Sequence, residues 1–323
     1  MKQPLYDKQV LKLTGASSLE EIEIIQSLWS GYGKIARVKL DNFQRKTAIV
    51  KHIVPPSNSN HPRGWNTDKS HQRKLRSYIV ETNWYKNWTF KINEKCRIPE
   101  CYGVASTGIN QIILLEDLDA SGFDQRKLTI SLTEIKSCLT WLAHFHAIHM
   151  DKAPNGLWPI GTYWHLETRP DEFKVMAKSS LKQAANQIDE ILNQCKFMTI
   201  VHGDAKLANF CFSADESKVA VLDFQYVGGG CGMKDVAYFL GSCLSENECE
   251  NTEIELLDFY FEQLRAALQD CLINLDELEQ EWRHMYPFAW ADFNRFLMGW
   301  MPNHQKLHGY SEKMVQKALK EIN

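Results

Sequence analysis

The most informative run in this chain is Thr199-Ile200-Val201-His202-Gly203-Asp204-Ala205-Lys206-Leu207-Ala208-Asn209-Phe210. It sets a histidine, a carboxylate and an amide at the spacing H-x-D-x-x-x-x-N, directly after an apolar stretch with strand character. A second apolar stretch, 218–222, leads into Asp223-Phe224-Gln225. Phosphoryl transfer requires a carboxylate that orients and deprotonates the attacking hydroxyl, and oxygen ligands for magnesium beside a triphosphate. Asp204 suits the first task. Asn209, returning on the far side of the same loop, and Asp223, on a neighbouring hairpin, suit the second. The plainer alternative makes Asp204 and Asp223 turn residues of a β-hairpin, but two turns do not need His, Asn and Phe at these offsets.

These residues need a frame to hold them. Residues 22–29, 34–40 and 47–54 are apolar or alternating runs, separated by Gly31-Tyr32-Gly33 and Asp41-Asn42. Pro55-Pro56 ends the third, and 57–68 is polar with Pro and Gly, a loop. The pattern predicts a helix over 70–88 and two more strands, 98–105 and 111–116. Beyond 116 the chain reads as mainly helical. Ser131-Leu132-Thr133-Glu134 is a capping box opening a helix to about residue 150. Further helices are expected over 179–195, 234–244, 252–269, 275–294 and 311–322, with short strands at 197–201, 210–212 and 218–222. The expected class is α+β in two lobes: a small five-stranded antiparallel sheet with one helix, then a larger mainly helical lobe. The division falls at 1–115, a hinge at 116–120, and 121–323.

Composition sets the bounds. A chain of 323 residues is comfortable for two lobes, and a formal net charge of −3 with interspersed signs gives no nucleic-acid or polybasic membrane footprint. Residues 1–7 contain no apolar leader core, and no apolar stretch is long enough to span a bilayer. Nine scattered cysteines without a C-x-x-C pair argue for reduced thiols rather than disulfides or a zinc site. A cytoplasmic protein without membrane or obligate protein partner is expected. His144, His146 and His149 do not form a metal set, since only 146 and 149 share a helix face.

The stretch from about Ile22 to Leu244, most closely Ile200–Leu240, resembles the aminoglycoside phosphotransferase and choline kinase superfamily, which has the protein-kinase-like fold. Within it, Glu116-Asp117-Leu118 and His202-Gly203-Asp204 look most like the ecdysteroid-kinase-like branch. The resemblance implies ATP and Mg2+ as cofactors, a nucleotide-binding first lobe, and a catalytic and substrate-binding second lobe. It makes Asp204 the base, Asn209 and Asp223 the metal ligands, and Lys206 a contact to the transferred phosphate. Ala48-Ile49-Val50-Lys51 is similar to the strand element whose lysine grips the α- and β-phosphates. Its partner would be Glu81, the only acid between Lys69 and Phe90. Gly31 and Gly33 would form a reduced phosphate loop lacking a third glycine, and the backbone at Glu116 and Leu118 would meet the adenine. Asp235 is similar to the acid that accepts hydrogen bonds from the catalytic loop, while His202 would buttress that loop.

Only eleven residues, Phe224 to Lys234, separate Asp223 from Asp235, and no A-P-E element follows. That leaves no platform for a peptide, so the expected acceptor is a hydroxyl of a small molecule: an amino alcohol, aminoglycoside, sterol-like or sugar alcohol. Trp282, Tyr286, Trp290, Asp292, Phe296 and Trp300 are candidates for an aromatic acceptor pocket with one acid, against the plainer reading of a core stripe. The reading of another class is a nucleotide-binding pseudokinase, although Lys51, Asp204, Asn209 and Asp223 are all present.

Overall fold

The computed structural model describes residues 6–28, 31–56, 68–215 and 218–322. The expectations for residues 1–5, for the strand end at Trp29 and for the loop at 57–67 lie outside them. The first lobe is a five-stranded antiparallel sheet built from β1 (Ser18–Ser27), β2 (Gly33–Asp41), β3 (Thr47–Ile53), β4 (Cys101–Thr107) and β5 (Asn110–Glu116), in the order β1-β2-β3-β5-β4. Two helices precede β4: α1 (Asp7–Thr14) and α2 (Asp68–Asn87). Period-two alternation along β3 sorts its side chains. Ala48 and Val50 join Val10, Val38 and Leu114 beneath α1, whereas Ile49 and Ile53 pack into the main core on the other face. Lys51 shares that second face by alternation. The helix α1 adds to the one helix expected; eight residues with two lysines give little apolar periodicity, and Gly15 at φ 69° closes it by donating to Leu11 O.

The second part is mainly helical. It comprises α3 (Leu132–Ile148), the short α4 (Pro170–Val175), α5 (Ser180–Asn193), α6 (Met233–Cys243), α7 (Glu246–Ala267), α8 (Leu275–Trp300) and α9 (Gly309–Ile322). The capping box at Ser131 and Glu134 starts α3 as the sequence predicts, and a second one, Ser245 with Glu248, starts α7 earlier than expected. Among the described residues, no helix is long and apolar enough to cross a membrane. All nine cysteines are free.

Two small ladders carry the chemistry-bearing loops. β6 (Thr199–Val201) pairs with β9 (Gly228–Gly230), and β7 (Phe210–Phe212) pairs with β8 (Val219–Val221). The glycine run was not expected as a strand. A Cβ on Gly228 would sit 2.3 Å from Trp158 O and one on Gly229 2.7 Å from Pro159 O, so the segment before α4 lies flush on a backbone that only glycine allows.

Aromatic contacts centred on Phe224 and Trp84 join the two parts. Phe224, directly after Asp223, is fully buried and stacks on Trp84 of α2, with ring centroids 4.7 Å apart and planes 12° from parallel. His202 lies 4.7 Å from the same ring and Tyr85 meets its edge at 5.8 Å. Truncation here removes contacts to both parts at once. Phe224→Ala is expected to cost about 3–5 kcal/mol and Phe224→Leu about 1.5 kcal/mol or less. Urea denaturation of both variants measures this, and a loss of under about 1 kcal/mol for the alanine would contradict it.

Candidate active site

A cleft of about 1090 Å³ opens between the sheet and the helices, lined from β1, β2, β3, α2, the 116–119 segment, the loop after β6, α6 and the end of α8. Lys51 and Glu81 meet in its wall although both are nearly inaccessible, at 5% and 1% exposure. The Lys51 ammonium lies 2.8 Å and 2.6 Å from the two Glu81 oxygens and 3.6 Å from Asp223 Oδ1. Burial opposes the Lys51 charge, but Glu81 and then Asp223 outweigh it and raise its pKa above the ordinary lysine value. Burial pushes the Glu81 carboxyl up to about 7. For Asp223 burial again works upward, yet Lys51 and Lys206 hold its carboxyl below the usual range.

The loop from His202 to Asn209 is held from behind. Asp235, at the start of α6, accepts from the backbone N–H of His202 at 2.6 Å and of Gly203 at 2.9 Å, and His146 of α3 reaches the same carboxylate at 3.2 Å. Gly203 sits at φ 78°, where a Cβ would meet Tyr226 O at 2.2 Å, so no other residue turns the chain here. His202 donates from Nε2 to Leu222 O at 3.1 Å and accepts at Nδ1 from Asp204 N–H at 3.2 Å. Both ring nitrogens are occupied in the neutral tautomer, and burial lowers its pKa. The histidine therefore braces the loop.

Asp204 faces the cleft. Lys206 Nζ lies 2.9 Å from its Oδ2, Tyr238 OH donates to its Oδ1 at 3.2 Å, and Asn209 Nδ2 donates to its backbone oxygen at 2.7 Å. Burial raises the Asp204 pKa, Lys206 opposes that rise, and Asp223 adds to it. For Lys206, burial acts against the charge and Asp204 more than restores it. No described residue donates to Asn209 Oδ1, and Asp223 Oδ1 is buried without a hydrogen bond. Two hard oxygens with room for another partner fit a magnesium ion. Among the described residues, no three His, Cys, Asp or Glu side chains cluster in a way that could hold a metal. His146 instead accepts from Tyr260 OH at 2.8 Å, and His149 donates to Phe145 O at 2.8 Å.

The remaining expected positions divide. Glu116 and Leu118 line the cleft. The Glu116 carboxylate turns to Arg97, at 2.6 Å, and to Glu100 N–H, at 2.9 Å, and the Glu116 N–H donates to Glu100 O at 2.8 Å, so neither group is free for a ligand. Leu118 O closes a turn by accepting from Phe123 N–H at 2.9 Å, and no described residue accepts from Leu118 N–H. Arg37, which the sequence did not single out, fastens β2 to this segment through Asp117 at 2.8 Å and Asp119 at 2.5 Å. Gly31 and Gly33 form the β1–β2 turn at φ 75° and 129°; Tyr32 between them, rather than either glycine, lines the cleft.

The aromatic series splits. Trp282, Tyr286 and Trp290 are buried in the main core, and Asp292 is closed off by Arg295 at 2.8 Å and by Trp164 Nε1 at 3.0 Å. Only Phe296 and Trp300 of the series reach the cleft. Tyr163, Tyr238, Phe293 and Lys306 complete that wall and were not found from sequence, because they come from four separate segments with no shared motif.

Comparison with known proteins agrees with this geometry. Residues 42–153 and 162–273 match the model of the ecdysteroid kinase-like family. No curated protein sequence matches the chain. Among solved structures, a choline kinase from Cryptosporidium parvum aligns with a TM-score of 0.55 at 12% identity, covering 94% of this chain and 90% of that one. An amicoumacin kinase in complex with AMP-PNP, Ca2+ and Ami aligns with a TM-score of 0.52 at 12% identity, covering 98% and 92%. At such identities the likeness establishes the kinase-like fold. The family match extends over most of the sequence, and the chain belongs to the ecdysteroid kinase-like family.

Proposed function

We propose that the protein is an ATP-dependent phosphotransferase that moves the γ-phosphate to a hydroxyl of a small molecule, with Asp204 as base. One observation carries this reading: the Asp204–Lys206 pair at 2.9 Å and the Lys51–Glu81–Asp223 cluster line the same cleft. In this reading residues 1–115 bind the nucleotide, 116–120 form the hinge, and 121–323 supply catalysis and the acceptor site. Lys51 grips the α- and β-phosphates, kept charged and aimed by Glu81. Gly31 and Gly33 let the turn approach the phosphates, and the backbone at Glu116 and Leu118 meets the adenine.

Asp204 accepts the proton of the acceptor hydroxyl as its oxygen forms a bond to the γ-phosphorus and the bond from that phosphorus to the β-bridging oxygen breaks. The products are a phosphate monoester, ADP and a proton. Lys206 neutralises charge on the transferred group and keeps the buried Asp204 ionised. Asn209 and Asp223 would hold Mg2+, which when bound offsets the charge of the phosphate oxygens. Burial of these groups in a low-dielectric cleft strengthens each interaction relative to water.

Two variants separate the roles. Asp204→Asn is expected to keep Mg2+-dependent nucleotide binding and to lose transfer by about a thousandfold; turnover within tenfold of wild type would remove Asp204 from the base position. Asp223→Ala is expected to lose the Mg2+-dependent part of the nucleotide-induced rise in Tm. For the wild type, nucleotide at about a hundred times its Kd stabilises by about 2.7 kcal/mol. A thermal-shift titration with ATP and GTP, with and without Mg2+, reads this directly. If the wild type shifts with neither nucleotide at millimolar concentration, the chain is instead a degenerate relative without this activity.

A further inference from the structure

Beyond Asp204, the wall of the cleft combines aromatic faces with a cation that has no acidic partner. Lys306, in the segment between α8 and α9, holds its ammonium 5.1 Å above the Tyr238 ring and 5.7 Å from the Phe293 ring. Tyr238 OH in turn donates to Asp204 Oδ1 at 3.2 Å, so Lys306 stands one ring away from the proposed base. No carboxylate of the described residues lies within ion-pair distance of this ammonium. The groups that act on it are the Cys243 thiol, which burial keeps in its neutral form, then Asp204, already paired with Lys206 at 2.9 Å, and Lys206 itself. Burial lowers its pKa to about 8, the behaviour of a cation lacking a counter-ion.

The other charges of this wall offer nothing to a positive ligand. Arg169 lies over the Tyr163 and Phe296 rings at 5.6 Å and 5.3 Å and is paired with Glu172 at 3.1 Å. Asp292, the acid that an amine acceptor would need, is buried against Arg295. An ammonium entering here would lose water, meet two cations, and find only the base itself as a counter-charge. A carboxylate or sulfate would find the opposite: a half-buried ammonium with no carboxylate partner and flat rings to cover its carbon frame.

Resting on the phosphotransferase reading above, we propose that the acceptor is an alcohol on an apolar ring that also carries an anionic group, and that Lys306 receives that group. Lys306 is thus a specificity-determining residue, and the site discriminates against amino alcohols and aminoglycosides. This narrows the acceptor classes that the sequence alone leaves open.

The test uses three ring alcohols of one shape: para-hydroxymethyl benzoate, its primary amide and the matching benzylamine. Binding of each to the full chain with AMP-PNP and Mg2+ is read by ligand-observed NMR, and phosphate transfer from ATP is read alongside. The expected wild-type preference is about tenfold or more for the carboxylate over the amide, with the amine weakest, the size of one charged hydrogen-bond partner. Lys306→Gln is expected to reduce that preference to about threefold or less, and Lys306→Arg to keep most of it. Strongest binding of the amine, or no difference among the three probes at millimolar concentration, overturns the proposal. So does an equal loss for carboxylate and amide in Lys306→Gln, which would assign the lysine to the transferred phosphate. The Mg2+-dependent nucleotide shift is measured on the same samples. Its absence defeats the phosphotransferase reading, whereas its presence with an inverted or missing charge preference defeats only the assignment of Lys306.

Discussion

The carboxylate of Asp235 is fully buried, and its polar contacts go to the backbone before Asp204 and to a buried histidine. It accepts from two successive backbone N–H groups, those of His202 and Gly203, and from the His146 ring. An unpartnered buried N–H costs about 1–3 kcal/mol, so the turn before Asp204 and the start of α6 are fixed as one object. Gly203 permits the turn, and Asp235 selects it. Everything downstream takes its position from there. Asp204 follows by one residue, and Asn209 returns to bond its backbone oxygen. Leu207 N–H is then caught by Ser242 Oγ at 2.8 Å, tying the loop to the far end of the same helix.

A second constraint links this loop to the sheet. Asp223 adopts φ 71°, a conformation rare outside glycine, asparagine and aspartate. The residue after it, Phe224, is wedged between Trp84 and His202. Because α2 carries both Trp84 and Glu81, the ring stack and the Lys51 ion pair move together. The helix that holds Lys51 in place is thus held by the residue beside Asp223. Two carboxylates converge on one ammonium in this cluster, an excess of negative charge that a divalent cation would relieve.

Much of this frame was legible because its signals are local. The strands β2, β3 and β5 announce themselves as apolar or alternating runs, and the loop around Asp204 by the fixed spacing of His, Asp and Asn. Lys51 and Glu81 are paired through the resemblance of Ala48-Ile49-Val50-Lys51 to the kinase strand element, Glu81 being the only acid between Lys69 and Phe90. The failures have a common cause. The β9 strand is three glycines, which carry no propensity and are required only because residues 158–161 press against them. The aromatic series on α8 suggested one face, but its first three aromatics, Trp282, Tyr286 and Trp290, are buried in the main core. Trp282 and Trp290 fill the space left by Gly232 and Gly241, where a Cβ would fall 2.5 Å and 2.7 Å from those rings. Phe293, Phe296 and Trp300 look instead into the cleft. Periodicity reports that a residue is buried and is silent on what buries it.

In the proposed mechanism the charge of the acceptor end is tied to the demands of the base. A carboxylate as enclosed as Asp204 is driven toward its neutral form by desolvation, and Asp223 across the cleft drives it further the same way. Keeping it ionised takes a cation in contact, and Lys206 supplies one at 2.9 Å. A further carboxylate placed there to welcome an amine would act against that effect by like-charge repulsion. The wall around Asp204 is instead built from phenols, phenyl rings and Lys306, groups that leave the ionised base unopposed. If Asp204 is the base, as proposed, base strength and acceptor preference are not independent properties of this cleft: the arrangement that keeps Asp204 able to take a proton also bears on the sign of charge that an acceptor can bring.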